Sequence, residues 1–287
     1  MKRRAIIGID IGGTNIRVGK VLNEKLTGIY SQKLTSSAPE KTVVEEIISS
    51  VYKKFDSSVA GIGVGVPSVV DVEKGIVYDV QNIPSLKKLY LKKILEDEFK
   101  IPAYINNDAN CFVAGEKYFG RGKDYKNIVG LTIGTGLGAG IYANGKLYSG
   151  ANCGAGEFGL LPYKDSDYEH YCSGQFFKNN YKTTGEVIYK KAKAGNKSAL
   201  QIFYEFGIHL GHAVSSIILS VDPEIIIIGG SISKAFEFFK KPMNFVFKSF
   251  PYQNSIKNLK ITVSKLSQGP VLGAAALYLE NVKNIKK

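Results

Sequence analysis

The chain has no tryptophan and only three cysteines, three histidines and two methionines among its 287 residues. Cys111, Cys153 and Cys172 lie far apart, without the C-x-x-C spacing that metal sites and redox motifs use. We therefore expect reduced thiols and a cytoplasmic location. No apolar run reaches the length of about 18 residues that a membrane-spanning helix needs, so the sequence predicts no membrane partner.

Positive charge is in excess, with 38 lysines and arginines against 25 aspartates and glutamates and a net charge of +13. No run of five basic residues and no basic stripe interleaved with aromatics occurs, so we expect no nucleic-acid partner. The lysines instead predict a solvated surface that attracts anionic nucleotides. The basic start, residues 1–4, precedes an apolar stretch, Ala5 to Ile9, that is too short for a signal peptide.

A glycine-rich turn between two short strands occurs twice in the sequence. The first copy runs from Ile6 to Thr14 and the second from Ile128 to Gly136, and an Asn-containing hairpin turn follows each. This repeat indicates two related domains. Glycines let backbone N–H groups approach phosphate oxygens closely, so we expect both turns to hold one polyphosphate and a side chain at Gly12 or Gly136 to obstruct it.

The residues around the two turns favour an ATP site over a plain tight turn, which is the usual role of a lone glycine-rich hairpin. Asp10 ends the first strand, where a carboxylate can hold Mg²⁺ directly or through its water shell. The other expected cofactor contacts are the glycines and polar side chains of the two turns, namely Gly12, Gly13, Thr14, Asn15, Gly134, Thr135 and Gly136.

Strands and helices alternate along the rest of the chain, which predicts an α/β fold. The expected strands are 28–34, 61–67, 102–108, 224–228 and 259–264, with a hairpin at 71–78. The expected helices are 42–55, 89–98, 109–119 and 271–282. We predict a small N-terminal domain of residues 1–112 plus the C-terminal helix 274–287, and a large C-terminal domain of residues 113–273.

Six short motifs occur in the order seen in ROK-family sugar kinases, which the chain resembles over nearly its whole length. They are 10–14, 107–110, 134–138, 156–159, 228–231 and 272–275. The resemblance implies two actin-like (ribonuclease H-like) domains with a nucleotide and sugar cleft between them. It also implies transfer of the γ-phosphoryl group of ATP to a hexose hydroxyl, with Gly229 and Gly230 in the ATP site.

Asp108 is the candidate catalytic residue. Phosphoryl transfer needs a carboxylate near the attacking hydroxyl, and Asp108 follows a strand beside Asn107, which can hydrogen-bond a neighbouring hydroxyl. An aspartate here also suits the N-cap of a helix that begins at Ala109, which is the alternative interpretation. By resemblance Asp108 is the catalytic base, and the implied sugar contacts are Asn82, Asn107, Asp108, Glu157 and Glu169.

The sequence departs from the family pattern at the zinc motif. Many members follow Gly-Glu-x-Gly with a histidine and then a cysteine cluster, but here Leu160 replaces the histidine and the cluster is missing. His209 and His212 have a spacing that suits metal ligands, yet no matching set of cysteines or carboxylates accompanies them, so we expect no zinc site. The missing histidine also removes a usual sugar contact, which leaves the preference for glucose open.

The expected function is ATP- and Mg²⁺-dependent phosphorylation of glucose to glucose 6-phosphate. The alternatives within the kinase class are fructose, mannose, an N-acetylhexosamine or a glucoside as substrate. The alternative outside it is a non-catalytic sugar-sensing protein of the family; a repressor of that kind needs an N-terminal DNA-binding domain, which we do not expect here. The oligomeric state stays open, with a homodimer as the candidate assembly.

Overall fold

The computed structural model describes residues 5–80 and 82–285 of the chain. The basic start weighed above as a signal peptide, residues 1–4, and the last two residues of the expected C-terminal helix lie outside the described residues. In chain order the strands are β1 (Ala5–Ile11), β2 (Asn15–Leu22), β3 (Lys25–Lys33), β4 (Val59–Val66), β5 (Val69–Asp71), β6 (Ile76–Tyr78), β7 (Lys88–Leu89), β8 (Ala103–Asn107), β9 (Ile128–Ile133), β10 (Leu137–Ala143), β11 (Lys146–Tyr148), β12 (Pro162–Tyr163), β13 (Ser166–Asp167), β14 (Ile225–Gly229) and β15 (Lys260–Val263).

The helices include all four that the sequence predicts, with ends shifted by a few residues. In chain order they are α1 (Glu40–Tyr52), α2 (Leu91–Phe99), α3 (Asp108–Phe119), α4 (Tyr168–Cys172), α5 (Gly174–Tyr181), α6 (Gly185–Lys193), α7 (Lys197–Val221), α8 (Phe236–Val246), α9 (Gln253–Asn258) and α10 (Gly269–Ile285). The helices α4 to α9 lie in the part of the chain for which the sequence pattern indicated only a repeat of the first half's plan.

The chain divides into two compact units. Unit 1 comprises residues 1–124, 146–155 and 266–287, and unit 2 comprises residues 125–145 and 156–265. The predicted domain limits, 1–112 with 274–287 and 113–273, fall inside α3 and α10, whereas the units change in loops. The limits of independently folding domains stay a prediction.

The sheet of unit 1 is built on the first glycine turn. Its strand order is β3-β2-β1-β4-β8, with β1 antiparallel to β2 and parallel to β4, and β4 parallel to β8. All residues of β4 are buried, as expected for a central strand covered on both faces. Because β1, β4 and β8 are parallel, their carboxyl ends meet at one edge of the sheet.

Unit 2 repeats this plan. The strands β10-β9-β14-β15 lie in that order, with β9 and β10 joined as an antiparallel hairpin through the second glycine turn. The strands β14 and β15 run parallel to β9. The predicted α/β fold with a duplicated glycine hairpin is therefore confirmed, and the second turn again lies at the carboxyl edge of parallel strands.

Glycines let α10 lie directly on the sheet of unit 1. A Cβ atom added at Gly8 of β1 would come within 2.0 Å of the Val271 carbonyl oxygen, and one at Gly63 of β4 within 1.8 Å of the Ala274 carbonyl oxygen. No side chain fits at such distances. The helix backbone thus packs against the strand backbone, and this contact fixes the distance between α10 and the strands β1 and β4.

The helix α7, with 25 residues, is long and apolar enough to cross a membrane by length and composition alone. The prediction of no such helix rested on unbroken apolar runs, and α7 carries Glu205, His209 and His212 within its sequence. Its inner face is buried in unit 2 among aromatic side chains, and added Cβ atoms at Gly207 and Gly211 would meet carbonyl groups of α8. This packing is that of a core helix.

Substitution of Gly63 should destabilise unit 1. The Cβ of Gly63→Ala cannot fit under α10 without moving it, so we expect the free energy of unfolding to fall by about 1–3 kcal/mol. Chemical denaturation followed by circular dichroism measures the loss. Gly154→Ala is the matched control because a Cβ there meets no atom within 4 Å; equal stability of the two variants would contradict the packing argument.

Candidate active site

In the first glycine turn, Asp10 forms an ion pair with Arg17. The two residues face each other across the β1–β2 hairpin. Asp10 Oδ2 accepts a hydrogen bond from Arg17 Nε at 2.9 Å, and Arg17 Nη2 lies 2.7 Å from the same oxygen. Burial raises the pKa of the Asp10 carboxyl, while the charge and hydrogen bond of Arg17 act in the opposite direction. The sequence pattern had not singled out Arg17, although an arginine opposite a strand-end aspartate is a readable signal.

Asp10 is compatible with the expected Mg²⁺ role through its second oxygen. Both bonds from Arg17 go to Oδ2, so Oδ1 keeps its acceptor capacity. Magnesium in kinases is typically held by one or two carboxylates together with waters and substrate phosphates. One carboxylate oxygen beside a glycine turn therefore suits indirect contact through water.

The glycines of the first turn are not needed for unusual backbone angles. Neither Gly12 nor Gly13 has φ in the left-handed region. The expected reason for glycine at these positions is therefore that a side chain would occupy space that another group needs. At Gly13 that space is used by Asn82, since an added Cβ would lie 2.7 Å from Asn82 Nδ2. Asn82, a predicted sugar contact, thus lies against the turn, beside the exposed Thr14 and Asn15.

Asn107 caps α3, and Asp108 is the first residue of the helix. Asn107 Oδ1 accepts the Ala109 N–H at 2.8 Å, and the same N–H lies 2.8 Å from Asp108 Oδ1. Because Asn107 holds the cap position, the alternative role of Asp108 as N-cap is taken over by its neighbour. Asp108 is exposed at the carboxyl edge of the sheet.

A buried polar network holds the end of β8, next to Asn107 and Asp108. The sequence pattern had not indicated this network. Asn106 Oδ1 accepts from the Asn107 N–H at 2.8 Å, from Asn110 Nδ2 at 3.0 Å and from the Cys153 thiol at 3.3 Å. Asn106 Nδ2 in turn donates to Ser149 Oγ at 3.2 Å. These bonds fix the end of β8, and the only signal for them was a strand that ends in two asparagines.

In unit 2, the Gly-Glu-x-Gly motif presents Glu157 on a loop that lies on β10. Gly156 has φ of +97°, and an added Cβ there would come within 2.3 Å of the Ala139 carbonyl oxygen. At Gly159 an added Cβ would come within 2.5 Å of the Leu137 carbonyl oxygen. The two glycines therefore bring the loop onto the strand, and Glu157 between them stays exposed.

Glu169 lies in the first turn of α4 and is held by two donors. Its Oε2 accepts the Leu137 N–H at 3.0 Å and its Oε1 accepts Gln175 Nε2 at 2.7 Å. Although Glu157 is exposed as a whole residue, its carboxyl is partly desolvated by the surrounding protein, and this, and secondly the negative charge of Glu169, raise its pKa. The structure thus brings these two predicted sugar contacts together within unit 2, where the charge of Glu169 acts on the Glu157 carboxyl.

The predicted cofactor residues of unit 2 also lie together. Gly229, at the end of β14, pairs with Thr132 of β9. Gly230 has φ of +84°, and an added Cβ would come within 2.2 Å of the Ile133 carbonyl oxygen. Gly229 and Gly230 therefore adjoin the turn formed by Gly134, Thr135 and Gly136.

A cavity of about 720 Å³ opens beside this second turn. Its volume is within the range of small-molecule sites. It is lined by three lysines, Lys178, Lys190 and Lys234, of which Lys190 forms an ion pair with Glu186 of the same wall, and Tyr189 and Phe203 give it aromatic surface. The cavity is also lined by residues of the turn and of nearby segments, namely Gly134, Thr135, Gly174, Gln175 and Ser231. Sequence motifs had located the turn but not this cavity, because its walls come from four separate segments.

The histidines near the absent zinc motif have protein partners. His209 Nδ1 lies 3.1 Å from the Tyr163 hydroxyl, and burial lowers the pKa of His209. Cys172 is fully buried, and His170 Nδ1 lies 3.5 Å from Asn179 Nδ2. Among the described residues, no three His, Cys, Asp or Glu side chains converge as metal ligands. The absence of zinc stays a prediction.

Duplicated glycine hairpins on parallel strands, a strand-end aspartate and a lysine-lined cavity are the features expected of a phosphotransferase with the actin-like fold. The model of the ROK family matches residues 6–281, and the chain therefore belongs to the ROK family. The expected family and fold are confirmed.

Two curated relatives span almost the whole chain. A glucokinase of Thermotoga maritima is 28% identical over 315 residues, which cover 98% of this chain and 99% of the relative. An N-acetyl-D-glucosamine kinase of Histophilus somni is 30% identical over 306 residues, which cover 95% and 98%. Among solved structures, a ROK family glucokinase from Streptomyces griseus in complex with glucose and AMPPNP is 25% identical, with a TM-score of 0.78 and coverage of 95% and 98%. The predicted class, an ATP-dependent sugar kinase, is confirmed.

The titration of Glu157 should respond to Glu169. The pKa of Glu157 is raised above the usual glutamate value. As pH falls, its carboxylate is therefore protonated at a higher pH than that of an ordinary glutamate. Glu169→Gln removes one cause of the shift, so the Glu157 midpoint should move to lower pH. Carboxyl ¹³C NMR measures it, with Glu237→Gln, an exposed glutamate of α8, as the control; an unmoved midpoint in Glu169→Gln would refute the coupling.

Zinc should be absent from the purified protein. His170, Cys172, His209 and His212 are not arranged as a four-ligand set, and structural zinc needs such a set. Elemental analysis after dialysis should therefore find no stoichiometric zinc, and a chelator should leave the melting temperature unchanged. A content near one zinc per chain, or a chelator-induced loss of stability, would require these residues to be reinterpreted as ligands.

Proposed function

We propose that this protein transfers the γ-phosphoryl group of ATP to the 6-hydroxyl of a hexose, with glucose as the substrate. The observation that carries the proposal is Asp108, an exposed carboxylate at the carboxyl edge of parallel strands. Its Oδ1 accepts the Ala109 N–H, and the preceding Asn107 is fixed by its helix cap and by Asn106. Such a fixed, accessible carboxylate suits the deprotonation of a sugar hydroxyl.

In the proposed reaction Asp108 accepts the proton of the sugar 6-hydroxyl. The hydroxyl oxygen forms a bond to the γ-phosphorus while the bond from that phosphorus to the β,γ-bridging oxygen breaks, and ADP leaves. Asn107 has Oδ1 engaged by the helix and donates through Nδ2 to the Ser68 carbonyl oxygen at 3.4 Å, a weak bond that a sugar oxygen can replace. Positioning is the main protein contribution to this reaction.

Glu157 and Glu169 are the proposed hydroxyl acceptors on unit 2. A carboxylate offers about four acceptor positions, and two of those on Glu169 are already used by Leu137 and Gln175. The remaining ones, with those of Glu157, suit a ligand that is rich in donor groups. Asn82, which is exposed beside Gly13, is the proposed sugar contact from unit 1.

The glycine turns and the cavity of unit 2 are the proposed ATP contacts. Backbone N–H groups of the turns suit phosphate oxygens, and the three lysines of the cavity suit the charge of a nucleotide. Asp10 would hold Mg²⁺ through water at Oδ1, and the ion would supply neutralisation of the phosphate charge. Arg17 keeps Asp10 in place through its two bonds to Oδ2.

Glucose is proposed ahead of other sugars because the Thermotoga maritima relative is a glucokinase, but the Histophilus somni relative acts on N-acetyl-D-glucosamine. Leu160 stands where the usual histidine would contact the sugar, so both glucose and N-acetyl-D-glucosamine are candidate substrates. A coupled assay of ADP release with glucose, mannose, fructose, N-acetylglucosamine and a β-glucoside tests this. The highest kcat/KM should be with glucose, and binding of a sugar without any turnover would favour a sugar-sensing protein.

Asp108→Asn should nearly abolish turnover while glucose still binds. The amide keeps the size of the side chain but cannot accept the hydroxyl proton, so kcat should fall by about 10²- to 10⁴-fold. Glucose Kd, measured by calorimetry, should change by less than about threefold. The reason is that the substitution turns a single hydrogen bond to glucose from a charge-assisted bond into a neutral one.

The control for this prediction is Asp97→Asn, which makes the same chemical change at an exposed residue of α2 that pairs with Lys93. It should keep the native kcat. A kcat of Asp108→Asn close to that of Asp97→Asn would exclude Asp108 as the base, whereas loss of glucose binding would give it a binding role.

We also propose a cytoplasmic location and a homodimer. The location is supported by three buried cysteines without a disulfide among the described residues, as expected in a reducing compartment. Sedimentation equilibrium of the purified chain tests the homodimer, and a mass of one chain would exclude it.

A further inference from the structure

The second glycine turn contains two glycines whose surroundings differ. An added Cβ at Gly136 would come within 2.5 Å of Glu169 Oε2, whereas at Gly134 the nearest atom is Ser231 Oγ at 3.9 Å. Neither glycine has φ in the left-handed region. The space at Gly136 is therefore reserved for the Glu169 carboxylate, while the space at Gly134 is open. The expectation that a side chain at Gly136 obstructs phosphate stays a prediction.

Glu169 is held on its other side by Gln175. The bond from Gln175 Nε2 to Glu169 Oε1 is 2.7 Å long, which is short for an amide donor and typical of a charged acceptor. Gln175 is in the first turn of α5, where Ser173 Oγ accepts its backbone N–H at 3.1 Å. The neighbouring Gly174 donates its N–H to the Gly134 carbonyl oxygen at 2.7 Å, so α5 is tied to the glycine turn.

Gln175 also lines the cavity beside the second turn. One side chain thus contacts the cavity proposed for the nucleotide and the carboxylate proposed for the sugar. All of these residues belong to unit 2. A shift of α5 or of the turn on nucleotide binding would change both bonds that orient Glu169.

We propose that Gly136 and Gln175 are positioning residues for Glu169, and that they make the affinities for sugar and nucleotide depend on each other. The inference rests on the proposed roles of Glu169 and of the cavity. Such a dependence is reciprocal, because a nucleotide that changes the sugar affinity by some factor has its own affinity changed by the same factor. The readout is therefore the ratio of glucose Kd values without and with saturating AMP-PNP.

The native protein should show a ratio of about fivefold or more, which is the usual size of such coupling. Gln175→Met keeps the length of the side chain but removes the donor, so glucose Kd should rise about tenfold and the ratio should approach one. Gln175→Lys restores a donor and should recover part of the glucose affinity. Lys178→Met, in the same helix and cavity wall, should weaken AMP-PNP binding and keep the ratio.

The glycine pair gives a second, independent comparison. Gly136→Ala should raise glucose Kd about tenfold, since its Cβ displaces a charge-assisted contact of Glu169. Gly134→Ala makes the same change two residues away and should alter AMP-PNP Kd more than glucose Kd. Thermal melts identify any variant that does not fold; in that case the Gln175→Met result decides.

Glu169→Ala separates this inference from the proposed function. Unchanged glucose Kd in Glu169→Ala would refute the sugar role of Glu169 itself. If Glu169→Ala weakens glucose binding but Gln175→Met and Gly136→Ala bind glucose with native Kd and native ratio, the positioning role is overturned and the sugar role stands. A native ratio of one would likewise overturn the coupling.

Discussion

Close approach of one backbone to another, at glycines that have no side chain, is the constraint on which both units depend. In unit 1 the carbonyl groups of α10 lie directly on Gly8 and Gly63, so the helix and sheet have a fixed separation. In unit 2, Gly207 and Gly211 allow α7 the same closeness to α8. Since interiors are packed as densely as crystals, these contacts leave the attached strands and helices little freedom to shift.

The candidate site residues lie at the carboxyl edges of these tightly packed sheets. Asp10 lies at the end of β1 and Asp108 follows β8, two parallel strands of unit 1 that are separated by β4. Arg17 orients Asp10, and the Ala109 N–H binds Asp108 Oδ1. Glu169 of unit 2 is oriented by the turn and by Gln175. Asp10, Asp108 and Glu169 thus each have a partner that restricts the carboxylate, which is what reactions that depend on positioning require.

Charge is distributed so that the proposed roles are chemically distinct. Asp10 is paired with a guanidinium, whereas Glu157 and Glu169 are close enough that one raises the pKa of the other. The lysines that line the cavity of unit 2 lie away from this carboxylate pair in the chain, on α5, α6 and the segment that follows β14. Lysines therefore occur at the proposed nucleotide cavity, and carboxylates occur at the proposed sugar contacts and at the proposed Mg²⁺ position, Asp10.

The sequence by itself determined the α/β class, the duplicated hairpins and the positions of most helices in unit 1. It could do so because β-branched runs, glycine turns and helical spacing are local signals. The motif order also located Asp108, Glu157 and Glu169 along the chain, and the family assignment that followed was confirmed.

Only the tertiary structure decided what each residue touches. The network of Asn106, Asn110, Ser149 and Cys153 joins segments about 40 residues apart, and no local pattern reports such a meeting. The same holds for Gly136, which sequence reasoning assigned to phosphate and the structure places against Glu169. Local sequence fixes backbone conformation, but the neighbour of a side chain is set by packing between elements that are distant in the chain.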